Sequence, residues 1–145
     1  MTDDAPLGDL FMRAARTLRR SWGGALEPWG LSPHQARALG TVGRTDGLRP
    51  SDLADALRIA PRSATEVVDA LVERALATRT PDPGDRRAVV VRLTDAGRAA
   101  LAEVEAARAA NAEQLFARLD AGERADLARL LRRLVEEPSV ERGDG

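Results

Sequence analysis

Between Pro81 and Thr94 the chain reads PDPGDRRAVVVRLT, and few folds have a use for such a segment. Val89, Val91 and Leu93 alternate with Val90 and Arg92, the two-residue period of a strand. Thr80, Pro81, Asp82, Pro83 and Gly84 carry turn chemistry. The segment predicts a hairpin with its first strand over 76–80, its second over 88–93, and Arg86 and Arg87 at the tip. An arginine at a hairpin tip contributes nothing to a core. It suits a narrow, negatively charged nucleic-acid groove. Two short helix patterns separated by a tight turn lie just upstream. Helix, turn, helix and basic hairpin in that order make a winged helix-turn-helix.

The rest of the chain extends this module with helices. Leu7, Leu10, Phe11, Ala14, Leu18, Trp22 and Leu26 recur at three- and four-residue steps, one apolar face of a helix about 30 Å long. Gly23 and Gly24 weaken its end, and Pro28 to Gly30 break it. Ser32-Pro33-His34-Gln35 opens a second helix with a capping box, its inner face Ala36, Leu39, Gly40 and Val42. Asp46-Gly47 is a turn and Leu48-Arg49 a minimal strand. Pro50 opens a third helix with Leu53, Ala54 and Leu57 inward, and Pro61 a fourth with Ala64, Val67, Val68 and Leu71 inward. Thr94 caps an alanine-rich helix to about Leu119. Asp120 and Glu123 form a second capping box, opening a helix that runs to about Glu137 and stops at Pro138. The tail 139–145 is expected to fray.

At 145 residues the chain is one domain, 1–145, with 47–93 as the winged lobe and 7–46 and 94–137 as supporting helices. Aromatic residues make up only 3%, so aliphatic side chains and alanine must fill the core. The apolar faces of the first, fifth and sixth helices exceed what a lobe of about 60 residues can cover. A homodimer would cover them, and its two-fold axis would match a pseudo-palindromic site.

Absent residue types narrow the function. There is no cysteine, hence no disulfide, thiolate metal site or thiol sensor. One histidine, no tyrosine and no lysine, with no phosphate-cradling glycine loop or metal-ligand spacing, argue against an enzyme and against a cofactor or metal. The acidic start MTDDAPLGDLF lacks a signal core, and no apolar run is long enough for a membrane span, so a cytoplasmic protein is expected. All 22 positive charges are arginine, which can make planar, bidentate contacts. Net charge is −1, but it is uneven: residues 1–48 and 49–92 are each +1, and 93–145 are −3.

The candidate contacts follow from this arrangement. Arg62, Ser63, Thr65, Glu66 and Asp69 face outward from the fourth helix, whose N-terminal residues meet base edges in a helix-turn-helix. Arg62 can donate twice to guanine, and Ser63 and Thr65 suit bases or phosphates. Glu66 can accept from cytosine but repels phosphate. The competing reading is an ordinary amphipathic helix with a solvated face. Ser51 and the free amides of the third helix suit a phosphate, with Arg49 beside them. Asp85 is placed to fix the hairpin by accepting N–H groups, leaving Arg86 and Arg87 to project toward DNA. The alternative to a DNA-binding regulator is a winged-helix protein-interaction module without DNA binding.

The wing stretch Asp85–Thr94, together with LSPHQARAL at 31–39, LRPSDLADAL at 48–57 and APRSATEVVDALVERALATR at 60–79, resembles the MarR (multiple antibiotic resistance regulator) family. The likeness covers roughly 7–137. It implies a homodimeric winged helix-turn-helix repressor of an operator in double-stranded DNA. Arg62, Ser63 and Thr65 would read the major groove and Arg87 the minor groove. It also implies a small aromatic or phenolic acid effector between the terminal helices and the lobe, near Trp22, Trp29 and His34. Three positions depart from the family pattern: Glu66 where relatives are often basic, Ala70, and Ala75 in place of the usual glycine.

Overall fold

The computed structural model describes residues 5–136. Helix α1 (Leu7–Leu26) runs into a 3-10 turn, Glu27–Trp29. Then come α2 (Pro33–Gly43), α3 (Pro50–Leu57), α4 (Pro61–Glu73), β1 (Ala77–Asp82), β2 (Asp85–Leu93), α5 (Asp95–Phe116) and α6 (Ala121–Val135). This is the mainly α architecture with a small β-hairpin wing expected from the sequence. The expected stop at Pro138 and the tail beyond it lie outside the described residues.

The helix starts form for the reasons their sequences announce. Ser32 Oγ accepts from the Gln35 amide at 3.2 Å while Gln35 Oε1 accepts from the Ser32 amide at 3.0 Å. Asp120 and Glu123 repeat the device at α6, both bonds 2.9 Å. Each satisfies two amides that a helix N-terminus leaves without partners.

The core sits where α2, α3, α4, the base of the hairpin and α5 meet. Leu39, Leu53, Val68, Leu71, Val91 and Val104 are almost fully buried, and no charged or polar residue is buried among the described residues. Trp29 packs only at the margin of this aliphatic core. The inward residues expected for α3 are all buried; in α4, Val67 is half-buried while Ala64, Val68 and Leu71 are buried.

The apolar stripe along α1 is left largely uncovered by the chain, as its surplus over the lobe implied: only Ala25 and Leu26 are buried, while Leu7, Leu10 and Phe11 are 83%, 37% and 51% exposed. Helix α1 packs chiefly on α5, and its N-terminal turns only border an open apolar cleft shared with α6. The wing strands are longer at the tip than the turn residues indicated, with the loop confined to Pro83 and Gly84. Asp82 Oδ1 accepts from the Gly84 amide at 2.9 Å, closing a tight side-chain turn that frees Thr80 and Pro81 for the strand. Pro81 is tolerated because β1 is an edge strand. On the other flank of β2, Leu48 exchanges two backbone hydrogen bonds with Val91, at 3.0 and 2.8 Å.

Candidate nucleic-acid interface

The helix-turn-helix is α3, a turn through Arg58–Ala60, and α4. Arg58 takes a left-handed conformation, φ 54°. Its amide and that of Ile59 return to the carbonyls of Asp55 and Ala54, each at 3.1 Å, which ends α3 and aims the chain into α4. With Ala64, Val68 and Leu71 buried, geometry forces Arg62, Ser63, Thr65, Glu66 and Asp69 outward, and all five are exposed. Arg62 is 92% exposed, and its Nε lies 3.7 Å from Glu66 Oε1, an ion pair longer than a hydrogen bond. The Thr65 hydroxyl donates to the Pro61 carbonyl at 3.1 Å.

The wing is clamped to this helix pair and to the turn before it by arginine–carboxylate pairs. Arg49, at the start of α3, donates from Nε (3.0 Å) and Nη2 (2.6 Å) to Asp82 Oδ2 near the hairpin tip. Arg79 of β1 pairs with Asp69 of α4. Arg92 of β2 donates from Nη1 to the Asp46 carbonyl at 2.6 Å and to its carboxylate. Arg92 lies against Gly47, where φ is +103° and a Cβ would come within 3.0 Å of the guanidinium. The Gly84 amide first, and then Arg49, hold the Asp82 carboxyl below the usual carboxylate range, while the Asp82 hydrogen bond and charge hold Arg49 more firmly protonated.

The register of the hairpin gives the wing arginines their position. Pro81 opposes Val89, but Asp82 opposes Asp85. Arg86, Arg87 and Ala88 therefore have no partner in β1 and form a bulge beside the tip. Asp85 Oδ1 accepts from the Arg87 amide at 3.0 Å, one of the roles expected of it. Arg58, Arg86 and Arg87 are exposed, with no acidic side chain or hydrogen-bond acceptor on their guanidinium groups among the described residues. Arg58 escaped the sequence reading because nothing in the sequence announced a left-handed arginine at that turn. Arg49 was expected to be available beside the α3 amides; instead it is engaged with the wing through Nε and Nη2, with no partner on Nη1 among the described residues. Ser51 is exposed in the first turn of α3.

The residues expected around an effector are placed differently from one another. Trp22 is half-buried in α1, with the Arg108 guanidinium of α5 5.4 Å from its ring centroid. Trp22 Nε1 and Arg108 Nε are buried without hydrogen-bond partners. Trp29 is half-buried, and its carbonyl accepts from Arg74 at 3.2 Å. His34 is exposed in the first turn of α2. Clefts lined by Phe116 and Leu131, by Phe11 and Leu134, and by Asp46 and Arg92 involve none of the three.

Comparison with known proteins agrees with this arrangement. A MarR family model matches residues 29–88, from Trp29 into the wing. The HTH-type transcriptional repressor Rv2887 of Mycobacterium tuberculosis is 30% identical over 134 residues, spanning 92% of this chain and 96% of that protein. The structure of Rv2887 in complex with DNA matches with a TM-score of 0.78 at 28% identity, over 92% of this chain and 100% of the other. Its complex with salicylic acid matches with a TM-score of 0.72 at 30% identity, over 92% and 99%. The reduced form of MarR from Escherichia coli matches with a TM-score of 0.81 at 26% identity, over 93% and 100%. A winged helix-turn-helix with this wing, and a relative alike over nearly the whole of both chains, lead to one conclusion: the chain belongs to the MarR family.

Proposed function

We infer that this protein is a sequence-specific regulator of transcription, a repressor that binds a pseudo-palindromic operator in double-stranded DNA as a homodimer in the cytoplasm. One observation carries the reading: exposed arginines without acidic partners stand on the wing bulge, while Arg79 and Arg92 of the wing and Arg49 at the start of α3 are engaged in fixing the wing to α4, to the turn before α3 and to α3. Free charge on a rigid frame is what a polyanion needs. Arg62, Ser63 and Thr65 face the major groove. Arg86 and Arg87 enter the adjacent minor groove, with Asp85 holding their backbone. Ser51 and the α3 amides take a phosphate, and Arg49 serves chiefly by holding the wing. Residues 47–93 are the reading lobe, and 7–46 and 94–137 carry the dimer.

The test is Arg87→Ala measured against salt. The minor-groove code is degenerate, so affinity should fall on many sequences alike, and the slope of log K against log salt should shrink by about one unit. Wild-type affinity and slope in the variant would remove Arg87 from the interface.

A small aromatic acid is the proposed effector. Rv2887 has a structure with salicylic acid, and here Trp22 and Arg108 offer two buried donors with no acceptor. Such groups are costly, at about 1–3 kcal/mol each, and a carboxylate would satisfy both, with Trp29 and His34 toward the lobe. A 100-fold loss of DNA affinity needs about 2.7 kcal/mol of coupling, an ordinary value. Salicylate should change tryptophan fluorescence and weaken DNA binding together. A panel of small aromatic acids and phenols that moves neither quantity would sink the effector reading.

A further inference from the structure

The outward face of α4 carries acid as well as base, and the acid is not all alike. Asp69 is engaged with Arg79. Thr65, having given its hydroxyl proton to the Pro61 carbonyl, presents only a methyl group and lone pairs. Glu66 is different: its side chain is 70% exposed, and its neighbour of opposite charge is Arg62, at 3.7 Å. That separation leaves both groups free to bond elsewhere. A carboxylate that no hydrogen bond engages, on a surface that meets phosphates, weakens binding to every sequence. It is tolerable on such a surface where a particular base compensates.

The major groove offers two kinds of donor, cytosine N4 and adenine N6. Adenine N6 lies between the acceptors N7 and thymine O4, which both repel a carboxylate. Cytosine N4 has an acceptor, guanine O6, on one side only. Glu66 therefore favours cytosine. The Arg62–Glu66 separation of 3.7 Å is close to the 3.4 Å rise between stacked bases. Two side chains so close reach the same base pair or neighbouring ones.

We propose that Glu66 is a specificity-determining residue that accepts from cytosine N4 while Arg62 donates to guanine in the same or the adjacent G·C pair. The inference rests on the DNA-binding reading and adds to it the chemistry of one operator position.

The experiment is selection of sites from a random duplex pool by the wild type, Arg62→Ala, Glu66→Ala and Glu66→Gln. Affinities are then measured on the selected site and on its G·C to A·T variant at the assigned position. The wild type should prefer the G·C site about tenfold, and Glu66→Ala by less than about threefold. The column it flattens should coincide with, or adjoin, the column flattened by Arg62→Ala. Glu66→Gln should move the preference toward adenine, which an amide can meet bidentately. Glu66→Ala binding all sequences more tightly with unchanged base preferences would make the carboxylate merely repulsive and overturn the proposal alone. A wild type that selects no sequence would overturn the DNA-binding reading with it.

Discussion

Ala75 holds a conformation that suits glycine, and replacing it should stabilise the protein. Its φ is +57°. Its amide bonds to the Val72 carbonyl at 2.9 Å, and the Leu76 amide to the Leu71 carbonyl at 2.9 Å, the paired bonds of a Schellman end to α4. Leu71 and Leu76, which flank the motif, are both buried. The bonds require the left-handed conformation, and a Cβ there costs roughly 1–2 kcal/mol. Glycine removes that cost but loses about 0.4–1 kcal/mol through greater freedom in the unfolded chain. Ala75 is exposed, so its methyl group contributes little burial. The net expectation for Ala75→Gly is a gain of about 0.5–1 kcal/mol, or a rise of about 1–4 °C in Tm for a chain of this size. Thermal and urea unfolding at one fixed protein concentration measure it, since association shifts Tm. Ala75→Val should lose stability, because a branched side chain fits this region worse than alanine. Gly97→Ala, on the facing turn of α5, should lose far more, because its Cβ would lie 1.9 Å from the Leu76 carbonyl oxygen. If Ala75→Gly is no more stable than the wild type, the strain argument is wrong.

Other outcomes follow from the same geometry. The Asp82 carboxyl is held low in the folded state, so its contribution is present above the unfolded value near pH 4 and is lost as pH falls through the lower folded value. Asp82→Asn should therefore lower stability at neutral pH and flatten the acid side of the stability curve; an unchanged acid limb would remove the Asp82 carboxylate, held by the Gly84 amide and Arg49, as its cause. Phe11→Asp should break the dimer, because Phe11 lies in an exposed apolar cleft with Leu130 and Leu134 of α6. Sedimentation at micromolar concentration should show a monomer, and a dimer unaffected by the charge would place the interface elsewhere.

Much of this fold was legible because its elements carry local signatures. Ser32–Gln35 and Asp120–Glu123 are capping boxes in sequence and in space. The alternation at Val89–Leu93 marks a strand, and Val91 and Leu93 are buried as it implies, but Val90 is buried as well and Val89, beside the bulge, is 41% exposed. What stayed hidden depends on contacts across the chain. Burial of the α1 stripe cannot be read from periodicity, since the same pattern serves a core and a subunit interface. The bulge at 86–88 arises from how β1 and β2 register, and the sequence between them only permits it. Nothing local to Gly97 announces that a Cβ there would meet the Leu76 carbonyl.

The arginines make the same point about the site. With no lysine in the chain, residue type cannot separate a structural cation from a binding one. Sequence charge over 49–92 is nearly balanced, which reads as a weak attraction for DNA. The structure resolves the balance by location. Asp46, Asp69 and Asp82 are taken up by Arg92, Arg79 and Arg49 around the wing, while Arg58, Arg86 and Arg87 keep their charge outward. Carboxylates engaged in this way lower the net charge of the lobe while adding little repulsion at the surface that meets phosphate. They convert part of the arginine excess into stiffness, which keeps the outward arginines at a fixed distance from α4. A mildly charged chain can therefore grip a polyanion, because its field is set by which charges stay unpaired and where the fold holds them.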